Sequence, residues 1–218
     1  MTTQITQNPR LISYYREYLE TQDTSRFVQQ VGDSYSQTTL LRLGSFTSIE
    51  SRRAVVLALS FLGDYETNTF FGNLLNDPDT TIRLLAENGI KNIWPREGNE
   101  EHRKYLRNVI RSISYKFYDE ALEKAGMLIA EAPYYAEAWN QRGIANFALS
   151  RFEDAIDDST VTLDLNPFHF GAATGMGHAY LQLRDWASAI ESFRTALRIN
   201  PNLNQVKKTV ARIEQMIQ

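Results

Sequence analysis

Apolar residues return along this chain at steps of three and four, the spacing that lines one face of a helix. Ile82, Leu85, Ala86, Ile90 and Ile93 form one such face, and Val206, Val210, Ile213 and Ile217 form another. Near the start, Tyr14, Tyr15, Tyr18 and Leu19 give an apolar edge to a helix predicted over 9–21, and a second helix follows over 23–33. On the last segment Lys208, Arg212 and Gln215 fall opposite the apolar face, with Lys207 and Glu214 on one flank. That arrangement predicts a solubilising cap, which the end of a stacked array requires.

A longer period overlies the helical one. Pro133, Pro167 and Pro201 are spaced by 34 residues, and so are Ala121, Ala155 and Ala189. Gly143 and Gly177 keep the interval, as do Phe152 and Trp186, Ile156 and Ile190, and Leu163 and Leu197. Three stretches therefore align without gaps: 102–135, 136–169 and 170–203. A fixed period of this size signals stacked two-helix units rather than one closed core. Small residues at Gly143 and Gly177 let two helices approach, and Ala155 and Ala189 stand where the second helix meets the first. Asn166 and Asn200 precede prolines, which biases them out of the helical region and turns the chain.

These marks resemble the tetratricopeptide repeat. Trp139, Gly143, Ala155 and Pro167 match that motif in the second unit. Gly177, Tyr180, Ala189, Phe193, Ala196 and Pro201 match in the third, with Ala173 where the Trp belongs. The first unit keeps Phe117, Tyr118, Ala121 and Pro133 but has Val109 in place of the glycine. Ser159 and Thr162 stand where the family prefers larger or apolar residues.

A weaker repeat of about 31 residues runs upstream. Leu40 aligns with Phe71, Leu43 with Leu74, Arg52 with Arg83, Leu59 with Ile90 and Leu62 with Ile93. Asp77-Pro78-Asp79 turns the chain, and Asp79 is placed to cap the next helix. In the upstream copy Ser45-Phe46-Thr47-Ser48 takes that place. The pattern is similar to the short HEAT-like repeat. The expected architecture is all-α: a right-handed α-α superhelix of antiparallel helix pairs. HEAT-like units with an N-terminal cap occupy 1–98, and three tetratricopeptide-like repeats plus a capping helix (204–218) occupy 99–218. Pro95-Arg96-Glu97-Gly98-Asn99 breaks the chain between them, as either a hinge or a rigid junction.

The resemblance implies a protein- or peptide-binding scaffold that uses its concave face. In the family, the places of Arg103, Leu106, Arg107 and Ile110 line that groove. Glu137, Asn140, Gln141 and Ile144 follow, then Gly171, Thr174, Gly175 and His178, with Phe147 and Leu181 one turn further. The candidate partner-binding residues are Arg103, Arg107, Ile110, Asn140, Gln141, Ile144, Phe147, Thr174, His178 and Leu181. Arg103, Arg107 and Arg111 make a basic stripe, and no acid lies between His102 and Tyr118. A partner with an acidic segment would suit it, since arginine forks onto carboxylates. Read blandly, the stripe is solvated or paired within the chain. Leu106, Ile110, Gly171 and Gly175 replace four places of the family's acidic-tail clamp, which argues against a clamp of that type.

Chemistry finds little foothold. The chain lacks cysteine, so disulfides, thiolate metal sites and cysteine nucleophiles are excluded. His102, His169 and His178 lack metal-ligand spacing, and no cofactor is expected. The run from Gly171 to Gly177 is glycine-rich but follows a proline turn rather than a strand, unlike a phosphate loop. Glu153, Asp154, Asp157, Asp158 and Asp164 read as a solvated acidic face. A net charge of −3 gives no broad field for nucleic acid. The apolar run from Ala54 to Leu62 is too short to cross a bilayer, and no secretory leader is expected, so a cytoplasmic location is. The alternatives to a non-catalytic scaffold are a lyase-like HEAT-repeat enzyme or enzyme subunit, and a component that self-associates end to end.

Overall fold

The computed structural model describes residues 9–44 and 48–217. Its thirteen α-helices among these residues divide into two compact units, Met1–Ile93 and Trp94–Gln218.

In the first unit α1 (Pro9–Thr21) pairs with α2 (Thr24–Ser34), α3 (Gln37–Gly44) with α4 (Ile49–Leu62), and α5 (Asn68–Leu74) with α6 (Thr80–Ile93). A 3-10 turn, Tyr65–Thr67, leads into α5. α4 is buried almost all round, from Ala54 through Ser60, because α1, α2, α3 and α6 all pack on it. A helix apolar on every side belongs in such a centre. The 31-residue shift carries α4 onto α6 end for end. It also carries Leu40 onto Phe71 and Ala58 onto Gly89, where the Phe71 ring lies so close that it leaves no room for a Cβ. Leu11, Ile12 and Tyr15 turn inward from α1, whereas Leu19, expected on its apolar edge, is 52% exposed at the last turn.

The Asp77-Pro78-Asp79 turn is a charge hub. Asp79 caps α6 by accepting the Ile82 N–H at 2.9 Å and takes both arms of Arg53. Those bonds from Arg53 and the backbone hold its carboxyl down at about 2. Arg52 pairs with Asp77, and Arg83 donates to the Asp77 carbonyl at 2.8 Å. Ser48, one period before Asp79, caps α4. Ser45, Phe46 and Thr47 of the corresponding turn, and residues 1–8, lie outside the described residues.

The second unit opens with a 3-10 turn, Trp94–Arg96. Three helix pairs follow: α7 (Glu100–Ser114) with α8 (Tyr118–Glu131), α9 (Ala136–Ala148) with α10 (Phe152–Leu165), and α11 (Phe170–Gln182) with α12 (Trp186–Ile199). α13 (Asn204–Met216) packs on α12. Each helix touches mainly the one before and the one after, and first helices also touch across pairs. This serial stacking makes the unit a right-handed solenoid.

The turns inside the pairs are the same three times. Lys116, Ser150 and Arg184 adopt left-handed backbone at φ 63°, 61° and 60°. The N–H groups of Phe117, Arg151 and Asp185 then return to the carbonyls of Ser112, Asn146 and Tyr180 at 2.8–3.0 Å. This six-to-one closure satisfies carbonyls that a helix end leaves bare.

The glycine place of the repeat shows why Val109 is tolerated. A Cβ on Gly177 would stand 2.6 Å from the Phe193 ring, and one on Gly143 would stand 3.3 Å from Asp158 Cβ. The second-helix places one period apart are Ala125, Ser159 and Phe193. Where the first helix carries Val109, the second carries Ala125, and both sit in one buried cluster. Volume is traded across the pair, so close packing survives without the glycine. Ser159 and Thr162 are buried, and their hydroxyls donate to the carbonyls of Ala155 and Asp158 at 2.8 Å.

Candidate functional site

The first helices α7, α9 and α11 present the ten predicted positions in three groups rather than one pocket. On α7, Arg103 is half-buried and Arg107 exposed, and both lie against Glu100, at 3.6 and 3.0 Å. The basic stripe is therefore partly neutralised by its own helix. Ile110 packs beside the buried cluster of Leu106, Leu128 and Tyr135.

On α9 the geometry centres on Glu137, which is buried. Its Oε1 accepts from Asn140 Nδ2 at 3.0 Å and from Gln141 Nε2 at 2.6 Å. Its Oε2 lies 3.0 Å from His169 Nε2. The Nδ1 of His169 accepts the Ala172 N–H at 3.0 Å and so caps α11. That bond puts the ring proton on Nε2, aimed at Glu137. Burial alone would raise the Glu137 carboxyl, but the donors from His169, Gln141 and Asn140 overcome it and hold its pKa below the usual carboxylate range. Both predicted amides are thus committed to a carboxylate of the same helix. Ile144 stays exposed at 42%, and Phe147 stands edge-on to Phe152 at 5.5 Å.

The start of the unit covers this group. The Trp94 ring stacks on His169 at 3.9 Å and tilts against Phe170 at 5.1 Å. Tyr135 Oη donates to the Pro95 carbonyl at 2.6 Å, and Glu97 accepts the Ala136 N–H at 3.1 Å, capping α9 from outside the repeat. Burial, with the charge of Glu137 nearby, pushes the Glu97 carboxyl up to about 7 against the pull of that N–H. Gly98 follows at φ +74°, a left-handed bend that favours glycine, and Asn99 caps α7. Nothing in the motif pointed to Trp94 or Glu97. Only the last place of the repeat, filled by Tyr135, His169 and Leu203, carried a signal, through its aromatic and polar content.

On α11, Thr174 Oγ1 bonds its own helix at Phe170 O, 2.8 Å away. His178 stands edge-on to Phe193 at 5.1 Å, and Leu181 packs on the cluster of Phe193, Val206 and Val210. On α13, Val206, Val210 and Ile213 are buried and Lys208 and Arg212 exposed. With His178, Leu181, Trp186 and Met216 the two cations also line a pocket of about 440 Å³. The reason is register. Lys208 stands 34 residues after Thr174 and Arg212 34 after His178, so α13 continues the first-helix face as a fourth step.

Asp158 also departs from expectation. It is 2% exposed, taken bidentate by Arg142 at 2.6–3.1 Å and bonded by Asn146 at 2.9 Å. Arg142 in turn lies over the Trp139 ring at 4.7 Å. Glu153, Asp154, Asp157 and Asp164 are exposed. Among the described residues no three of His, Asp and Glu gather as a metal-holding group, and no helix is long and apolar enough to cross a membrane.

The tetratricopeptide repeat family model matches residues 171–203. A TPR repeat-containing protein of Rhizobium etli is 26% identical over 142 residues, covering 62% of this chain and 69% of its own. Among solved structures, the first TPR of Spaghetti (RPAP3) bound to HSP90 peptide SRMEEVD superposes with a TM-score of 0.53 at 21% identity, over 55% of this chain and 95% of that one. The TPR2B-domain:pHsp70 complex of yeast Sti1 gives 0.51 at 18%, over 54% and 99%. The period, the left-handed turns, the size-matched glycine place and these likenesses agree: the C-terminal unit has the tetratricopeptide repeat fold, and residues 171–203 match that repeat's family model.

Proposed function

We propose that the chain is a non-catalytic scaffold that holds a protein or peptide on the first-helix face between Arg103 and Leu181. The observation that carries this reading is the exposure of Ile144 and His178, one period apart, on a face whose surrounding positions are fixed by packing. An apolar side chain left in water beside ordered polar groups suits a partner surface. Two structural likenesses, at the level of fold, are to domains seen with partners, one with an HSP90 peptide and one in a complex with pHsp70. The face here differs from an open amide clamp, because Asn140 and Gln141 already serve Glu137. A partner would meet exposed apolar and cationic side chains rather than free amides.

The test is selection of displayed peptides on the intact protein, followed by fluorescence anisotropy. Ile144→Asp should weaken the selected peptides at least about tenfold, roughly 1.4 kcal/mol. Asp157→Lys, on the outer side of α10, should leave them unchanged. Equal loss in both variants, or in neither, removes the first-helix face as the binding surface.

A further inference from the structure

We propose that the C-terminal end of the first-helix face, between α11 and α13, anchors an acidic peptide residue that flanks a large apolar side chain. This rests on the scaffold reading and names the partner's chemistry. The pocket there holds about 440 Å³, within the range of ligand clefts, and among the described residues no carboxylate lines it. Its apolar wall is Leu181, Trp186 and Met216, and the last two are 37% and 63% exposed. Lys208 and Arg212 stand on the same wall, and among the described residues neither makes an ion pair. Arg194 and Arg198 of the neighbouring helix, by contrast, are paired with Glu214 and Glu191. At the other end of the face Arg103 and Arg107 are held by Glu100. Lys208 and Arg212 thus place unpaired positive charge on α13, beside the exposed Trp186 and Met216. A carboxylate next to a bulky side chain fits that juxtaposition, since a charge-assisted bond at the rim of an apolar pocket is stronger than one in open water.

The experiment uses the full chain and a fluorescein-labelled peptide, Gly-Ser-Glu-Phe-Glu-Ser-Gly, at about 50 mM salt, where surface charge is weakly screened. Anisotropy gives affinity, and amide chemical shifts locate the contact. The wild type should bind with shifts on α11 and α13. Lys208→Glu with Arg212→Glu should lower affinity at least about tenfold, as should Gln for both Glu in the peptide. Met216→Ala should lower it several-fold, and circular dichroism should show every variant folded. Affinity unchanged in the double variant, no binding at about 1 mM, or shifts confined to α7 and α9 would overturn the proposal. If the selected peptides still answer to Ile144, the scaffold reading survives that failure. If they do not, both fall. Capture of phosphatidylserine vesicles instead of peptide, lost in the double variant, would also overturn it by reassigning the cations to a lipid surface.

Discussion

Gly177 and Phe193 are locked together by size. A single added methyl at Gly177 meets the ring edge at 2.6 Å, so Gly177→Ala should cost about 1–3 kcal/mol in urea unfolding. Gly143→Ala should cost less, because its nearest neighbours lie at 3.3 and 3.4 Å. Pairing Gly177→Ala with Phe193→Leu should recover part of the loss, and no recovery would refute the idea of traded volume. Glu97 gives a second test at this scale. Its folded pKa, about 7, stands above the ordinary 4.5, so between those values the native state keeps a proton that the unfolded chain has released. Stability from this group therefore falls as pH rises from 4.5 to 7. Glu97→Gln keeps an acceptor for the Ala136 N–H and removes the titration. The variant should match the wild type near pH 4.5 and exceed it in urea midpoint at pH 7.5, and an equal gap at both values would count against the buried carboxyl.

At the scale of elements, the left-handed turn is the recurring weak point. Lys116, Ser150 and Arg184 hold a conformation that disfavours any side chain with a Cβ. Ser150→Gly should raise stability by up to about 1 kcal/mol, read from the thermal midpoint. Most helices were legible in the chain, since the proline, alanine and glycine marks recur wherever two helices must touch or part. Asp79 as a cap was legible too, because its role is local. The neutralisation of Arg103 and Arg107 was not, since Glu100 lies before the acid-free stretch, three residues from Arg103 and a two-turn reach of seven from Arg107. Asp158 read as one more acid on an outer face. Its burial depends on Arg142 of the other helix, a pairing that the period does not encode. The same limit hid the fourth step of the face: α13 was read by its own apolar side, and the place of Lys208 and Arg212 depends on α11.

The whole C-terminal unit is not a simple row of hairpins. Stacked repeats usually unfold by nearest-neighbour steps, each pair leaning only on the next. Here Trp94, Pro95 and Glu97 reach past α7 and α8 to Tyr135 and Ala136 at the start of α9 and to His169 and Phe170 at the start of α11. The first hairpin is thus enclosed by a drawstring whose knot lies where α9 and α11 begin. Fraying from that end must undo an aromatic stack and two hydrogen bonds before α7 can leave. Hydrogen exchange should show α7 and α8 protected as well as α9 in the wild type, and exchanging ahead of it in Trp94→Ala. A chain built of interchangeable modules would then melt, from this end, as one piece.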